Sequence, residues 1–172
     1  KGEFLTEASS LESPEQQEIA KRLKQILKYC YSLKPEKFKS GYDIKTYQDF
    51  NRKWGLGTSS TLINNIANWL EINAYQLLAE TFGGSGYDIA AASHDHPISF
   101  QRNNGEASVF TVDFDPPFKE ELFFVYLNRK QNSREAIAHY RKQSHTNRSQ
   151  LIEKISGITE QILQCEHLME FK

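Results

Sequence analysis

From about Pro14 to Leu33 the apolar positions Ile19, Leu23, Ile26, Leu27 and Cys30 recur on one face, the spacing of an amphipathic helix. Ser13 stands at the N-cap position, Pro14 at the first helical position and Gln16 where a capping box closes, so the helix start is specified as well as its face. Gly41 to Tyr47 alternates in the manner of a strand that runs through Asp49-Phe50 into the glycine loop Trp54-Gly55-Leu56-Gly57. Leu62, Ile63, Ile66, Ala67 and Leu70 then return to helical spacing, with Thr58, Ser59, Ser60 and Thr61 as the first turn. Asn73 and Gln76 cap a further helix that carries Leu77 and Leu78 and ends at Phe82.

A second loop, Gly83-Gly84-Ser85-Gly86, opens the short alanine-rich helix Tyr87 to Ala92. Beyond Pro97 the pattern changes to a hairpin, Ile98 to Arg102 and Ala107 to Phe114 around Asn103-Asn104-Gly105. Pro116-Pro117 breaks the chain, and the connection Pro116 to Lys119 is the expected domain boundary. Leu122 to Leu127 is a continuous apolar run that reads as a buried strand. A helix capped by Ser133 follows, then one from about Ser149 to Gln164 and a last turn towards Phe171. Helices and strands alternate without an even βαβ rhythm, which predicts an α+β chain. Lys1 to Leu5 reads as a strand, and Leu168 to Lys172 stops inside a helical pattern; both ends look like cuts in a longer protein.

Charge narrows the function. Lys plus Arg total 21 and Asp plus Glu 22 in 172 residues, a net charge of -1, so no chain-wide basic field exists to hold nucleic acid or anionic lipid. Lys21, Arg22, Lys24 and Lys28 share a helix face, but Glu15 and Glu18 flank them, the composition of a solvated face. No apolar run approaches the roughly 20 residues of a membrane helix, and no secretory-signal pattern opens the sequence. Cys30 and Cys165 are too few for a disulfide framework and sit in apolar patterns, which fits a cytoplasmic protein.

Gly55-Leu56-Gly57-Thr58-Ser59-Ser60 has the ingredients of a phosphate cradle: glycines that let an anion come close, and a new helix that offers free N–H groups. It is neither the P-loop, since no Lys follows the second glycine, nor the full dinucleotide fingerprint. A plain helix-capping turn has the same composition. Asp88, directly after the second loop, can accept a hydroxyl proton or hold a cation, and it also suits the first turn of a helix on dipole grounds. His94-Asp95-His96 is a weak zinc signal without a third ligand. Trp54 and Trp69 suit either an adenine pocket or core packing.

Together, Gly55-Leu56-Gly57-Thr58-Ser59-Ser60 and Gly84-Ser85-Gly86-Tyr87-Asp88 resemble the second motif and the Ser-Gly-x-Asp motif of the GHMP kinases, the family of galactokinase, homoserine kinase, mevalonate kinase and phosphomevalonate kinase. The wording is most similar to the mevalonate and phosphomevalonate branch and to bacterial members with Gly-Tyr-Asp-Ile-Ala. The resemblance implies an α+β fold in which residues 1–118 are the later part of an ATP-binding domain like domain 2 of ribosomal protein S5. Residues 119–172 would begin a ferredoxin-like C-terminal domain. The family's N-terminal Lys segment and C-terminal glycine-rich loop are missing from this stretch.

By that resemblance the cofactors are ATP and Mg²⁺, held by Gly55, Leu56, Gly57, Thr58, Ser59 and Ser60, with Ser59 and Glu80 at the metal. Asp88 would be the catalytic base. Gly84, Ser85, Gly86 and Ser133 would face the acceptor, near Asn128 and Lys130, although Ser133 also makes a good helix cap. The expected function is phosphoryl transfer to an alcohol or phosphate, with mevalonate and phosphomevalonate as acceptors to test. Diphosphomevalonate decarboxylation, a non-catalytic nucleotide-binding module and RNA binding by analogy with ribosomal protein S5 are the competing readings. The expected partners are a small-molecule acceptor and, as an option, a second copy in a homodimer, with no nucleic acid and no membrane.

Overall fold

In the computed structural model, residues 13–51, 54–103, 106–128, 133–142 and 147–172 are described, the side chains of 133–136 and 141 excepted. They form seven α-helices and one two-stranded antiparallel sheet, an α+β arrangement that is mostly helical. The residues fall into two compact units. The first holds the chain up to Tyr47, Gly57–Asp95 and Phe100–Val109; the second holds Gln48–Leu56, His96–Ser99 and Phe110–Lys172.

The first unit is built on four helices. Helix α1, Pro14–Leu33, starts as its sequence specifies: the Ser13 hydroxyl accepts from Gln16 N at 3.2 Å and the Gln16 side chain accepts from Ser13 N at 3.0 Å. Its buried face is Ile26 and Cys30, and burial pushes the Cys30 thiol up to about 11. Helix α2, Thr58–Leu70, buries Ile63, Ile66, Ala67 and Leu70, one stripe at helical spacing. Helix α3, Ala74–Thr81, is capped by Asn73 accepting from Gln76 N at 3.0 Å and buries Leu77 and Leu78. Helix α4, Tyr87–Ala92, buries Ile89 and Ala90.

Helix α2 packs on both α3 and α4, and α1 packs on α3. Two side chains tie helix ends into this core. Arg22 Nη1 donates to Thr81 O at 2.8 Å while its guanidinium lies 5.2 Å from the Phe82 ring, which satisfies a carbonyl at the end of α3. Buried Asn64 donates to Ala92 O at 3.1 Å and does the same for α4.

Two expected strands are absent. Gly41–Tyr47 forms no ladder and is exposed; Tyr42 instead packs edge-on against Phe38 and Trp69, and Asp43 pairs with Lys45 at 3.2 Å. Alternation specifies a chain with two faces, but a strand also needs a neighbour to receive its N–H and C=O groups, and none is present among the described residues. Leu122–Leu127 is likewise without a ladder, and it is exposed throughout rather than buried. The expected strand Lys1 to Leu5 lies outside the described residues.

In the second unit, Phe118 is buried with Phe171 at 5.3 Å between ring centroids, and Phe114 stacks on Phe171 at 6.5 Å. The helices α5, Ser133–Lys142, α6, Arg148–Leu163, and α7, Leu168–Phe171, match the expected pattern within a residue or two. Leu151, Ile152, Ile155 and Ile158 of α6 stay exposed. The hairpin is present as expected, β1 being Ile98–Asn103 and β2 Glu106–Thr111, with its turn residues Asn104 and Gly105 outside the described set. No helix among the described residues is long and apolar enough to cross a membrane.

Candidate functional site

The first turn of α2 rests on Gly57, whose φ of 70° lies in the left-handed region that side chains rarely adopt. Gly57 also supplies no capping side chain. Its carbonyl accepts from Ser60 N at 3.0 Å and Thr61 N at 3.1 Å, while the N–H groups of Thr58 and Ser59 meet no partner among the described residues. Ser59 is exposed; Ser60 is buried. Gly55, with φ 78°, and Leu56 belong to the second unit, so the four residues Gly57 to Ser60 are the part of this loop that forms one body.

The second turn is more constrained. Gly83, Gly84 and Gly86 all have positive φ, and the Ser85 hydroxyl accepts from Tyr87 N at 3.2 Å to cap the start of α4. Gly86 is buried, and a Cβ there would lie 2.8 Å from the Tyr75 ring. Asp88 is exposed in the first turn of α4, and Glu80 is exposed on α3. Arg102 Nη1 donates to Gly84 O at 3.0 Å, and the Phe100 and Tyr87 rings meet edge to face at 5.7 Å.

A cavity of about 820 Å³ opens against this second turn. Tyr75, Gln76, Leu78 and Ala79 of α3 form one wall, Arg102, Glu106, Ala107 and Val109 of the hairpin another. Gly84, Ser85, Gly86, Ser93 and His94 complete it. Burial raises the Tyr75 phenol above its ordinary range. His94 Nδ1 lies 2.7 Å from Ala90 O, a contact in which Nδ1–H donates to the carbonyl.

Of the residues expected to face an acceptor, Gly84, Ser85 and Gly86 line this cavity; Asp88, expected as the base, and Glu80, expected at the metal, do not. The side chain of Ser133 and all of Lys130 lie outside the described residues, and Asn128 is exposed with φ 57°. Among the described residues no three His, Cys, Asp or Glu side chains are gathered for a metal. Trp69 is placed away from the first loop: eleven positions along α2 put it about 16 Å from Thr58 at 1.5 Å per residue. There it packs edge-on against Phe38 at 6.0 Å on an exposed face, outside the buried core. Trp54 is half exposed.

Arg102 and Tyr75 are not singled out by sequence, and His94 is marked only within the weak His94-Asp95-His96 zinc signal. The signal for Arg102 was within reach, because strand alternation puts Phe100 and Arg102 on one face of β1. Nothing local marks Tyr75 as the ring beneath Gly86. No protein-family model, curated protein or solved structure matches this chain.

Proposed function

We propose that the chain carries two working loops of an ATP- and Mg²⁺-dependent small-molecule kinase of the GHMP type, acting on an alcohol or a phosphate. The observation that supports it most is that both glycine turns open helices, α2 and α4, that pack directly on one another. In this reading residues 1–118 belong to the ATP-binding domain and residues 119–172 begin the C-terminal one, in a cytoplasmic enzyme.

The residues suit the cofactor chemically. The N–H groups of Thr58 and Ser59, which have no partner among the described residues and lie at the positive end of α2, are donors for a phosphate oxygen. Gly55, Leu56 and Ser60 complete the loop as judged by its resemblance. Mg²⁺ takes oxygen ligands and usually one or two carboxylates with substrate phosphates, a set that the Ser59 hydroxyl and Glu80 would provide. When bound there, ATP would supply the transferable phosphoryl group and Mg²⁺ would offset its charge. Asp88 accepts the proton of the acceptor hydroxyl. The N-terminus of α2 would hold the phosphates in place, so most of the work of this chain would be positioning and electrostatics.

The test is ADP release from Mg-ATP by the full-length protein, offered mevalonate, phosphomevalonate, homoserine and sugars, with Asp88→Asn in parallel. One acceptor is expected to stimulate release, and Asp88→Asn to lose about 10² to 10⁴ of that rate. Equal rates in the two proteins would remove Asp88 as the base, absence of ATP binding would remove the kinase reading, and CO₂ among the products would replace it with a decarboxylase.

A further inference from the structure

Helix α4 has six residues, too few to hold a helical conformation without support from outside. The segment before it contains three glycines with positive φ, each of which costs more backbone entropy to fix than any other residue. The start of α4 therefore takes its position from its contacts. Ile89 and Ala90 anchor the inner face, and Gly86 is wedged on the Tyr75 ring. Two further contacts come from β1.

Phe100 and Arg102 are two residues apart on one strand and so project from the same side of it. Each reaches a different point of the turn. The Arg102 guanidinium donates to Gly84 O at 3.0 Å, before the turn, and the Phe100 ring meets Tyr87 at 5.7 Å and 80°, after it. Gly84 O and Tyr87 bracket Ser85-Gly86, and Tyr87 is the residue next to Asp88.

We infer that this face of β1 is a brace that sets the Gly84–Ser85–Gly86 turn, and that Arg102 is a positioning residue acting on Asp88 through Gly84 and α4. A charged donor on a carbonyl is among the stronger hydrogen bonds available to a turn of this kind. Arg102 and Gly84 also both line the 820 Å³ cavity, so the same contact sets part of its wall. The consequence for phosphoryl transfer rests on the kinase reading; the mechanical consequence does not.

The experiment therefore has two readouts on the full chain. Amide hydrogen exchange is followed in wild type, Arg102→Met and Arg102→Lys. Arg102→Met is expected to speed exchange at the hydrogen-bonded amides of Tyr87 and Ala90 by about tenfold, the scale of one hydrogen bond to a charged donor, and to leave the amides of α1 unchanged. Arg102→Lys, which keeps a cationic donor, is expected to recover part of the protection. With an acceptor that turns over, Arg102→Met is expected to lower kcat and leave the KM for ATP unchanged, and Arg102→Lys to restore part of kcat. Unchanged exchange at Tyr87 and Ala90, or an increase spread equally over α1, overturns the brace. Faster exchange at the turn in a protein that releases no ADP with any acceptor supports the brace and counts against the kinase reading alone.

Discussion

Gly57 and Gly86 start two helices with the same backbone device and in opposite surroundings. Both have positive φ, 70° and 87°, and both stand where a capping side chain is usual. A Cβ on Gly57 would meet nothing within 4 Å; one on Gly86 would press on two carbons of the Tyr75 ring, at 2.8 and 2.9 Å. Glycine is thus required at Gly57 by conformation alone, and at Gly86 by conformation and by room. The first turn leaves open space beside Gly57. The closed turn is a fixed joint, and its neighbour Arg102 tightens it further.

The largest predicted effect follows from the second requirement. Gly86→Ala is expected to destabilise the protein by about 3 kcal/mol, roughly 1–2 from the left-handed backbone and the rest from overpacking against Tyr75. Urea denaturation measures it. Repeating the substitution on a Tyr75→Ala background separates the two parts, because removal of the ring should cancel the steric share and leave the backbone share. A penalty of the same size on both backgrounds would mean that the ring yields without cost, and the contrast between the turns would be lost.

Gly57→Ala should cost about 1 kcal/mol, the backbone share by itself. Gly57→Asn should cost less, since Asn tolerates the left-handed region, whereas Gly86→Asn should recover at most the backbone share and keep the steric penalty, because its Cβ meets the same ring. These paired substitutions distinguish the turns within one denaturation series. If Gly57→Ala costs as much as Gly86→Ala, the space over the first turn is not open in solution.

How far the sequence foretells this structure depends on the range of the contacts involved. The capping box of Ser13 and Gln16, the Asn73 cap and the apolar stripe of α2 are interactions within one turn or one helix, and they stand where the pattern puts them. Both glycine loops were legible too, because left-handed turns before helices have few alternatives to glycine. Gly41–Tyr47 and Leu122–Leu127 failed as strands since a ladder depends on a second segment, which periodicity in the first cannot supply. The partners of the second loop are hidden for the same reason: Arg102 reaches Gly84 across 18 positions, and Tyr75 lies beneath Gly86 from another helix. Composition named the loops, and tertiary packing decided which was open and which was held.

The smallest predicted effect concerns Ser85, which caps α4 from two residues before Tyr87 with a single exposed hydrogen bond of 3.2 Å. Ser85→Ala should cost about 0.5 to 1 kcal/mol, the low end for loss of a capping side chain on the surface. Its value lies in where the loss falls. The Arg102 contact and the Tyr75 wedge hold the two sides of Ser85 independently, so the loss should show as faster hydrogen exchange at the Tyr87 amide and leave Ala90, whose N–H donates to Gly86 O at 3.0 Å, protected. If Ala90 loses protection together with Tyr87, the serine cap is holding the whole of α4, and the second turn is fixed by its own side chain more than by the elements around it.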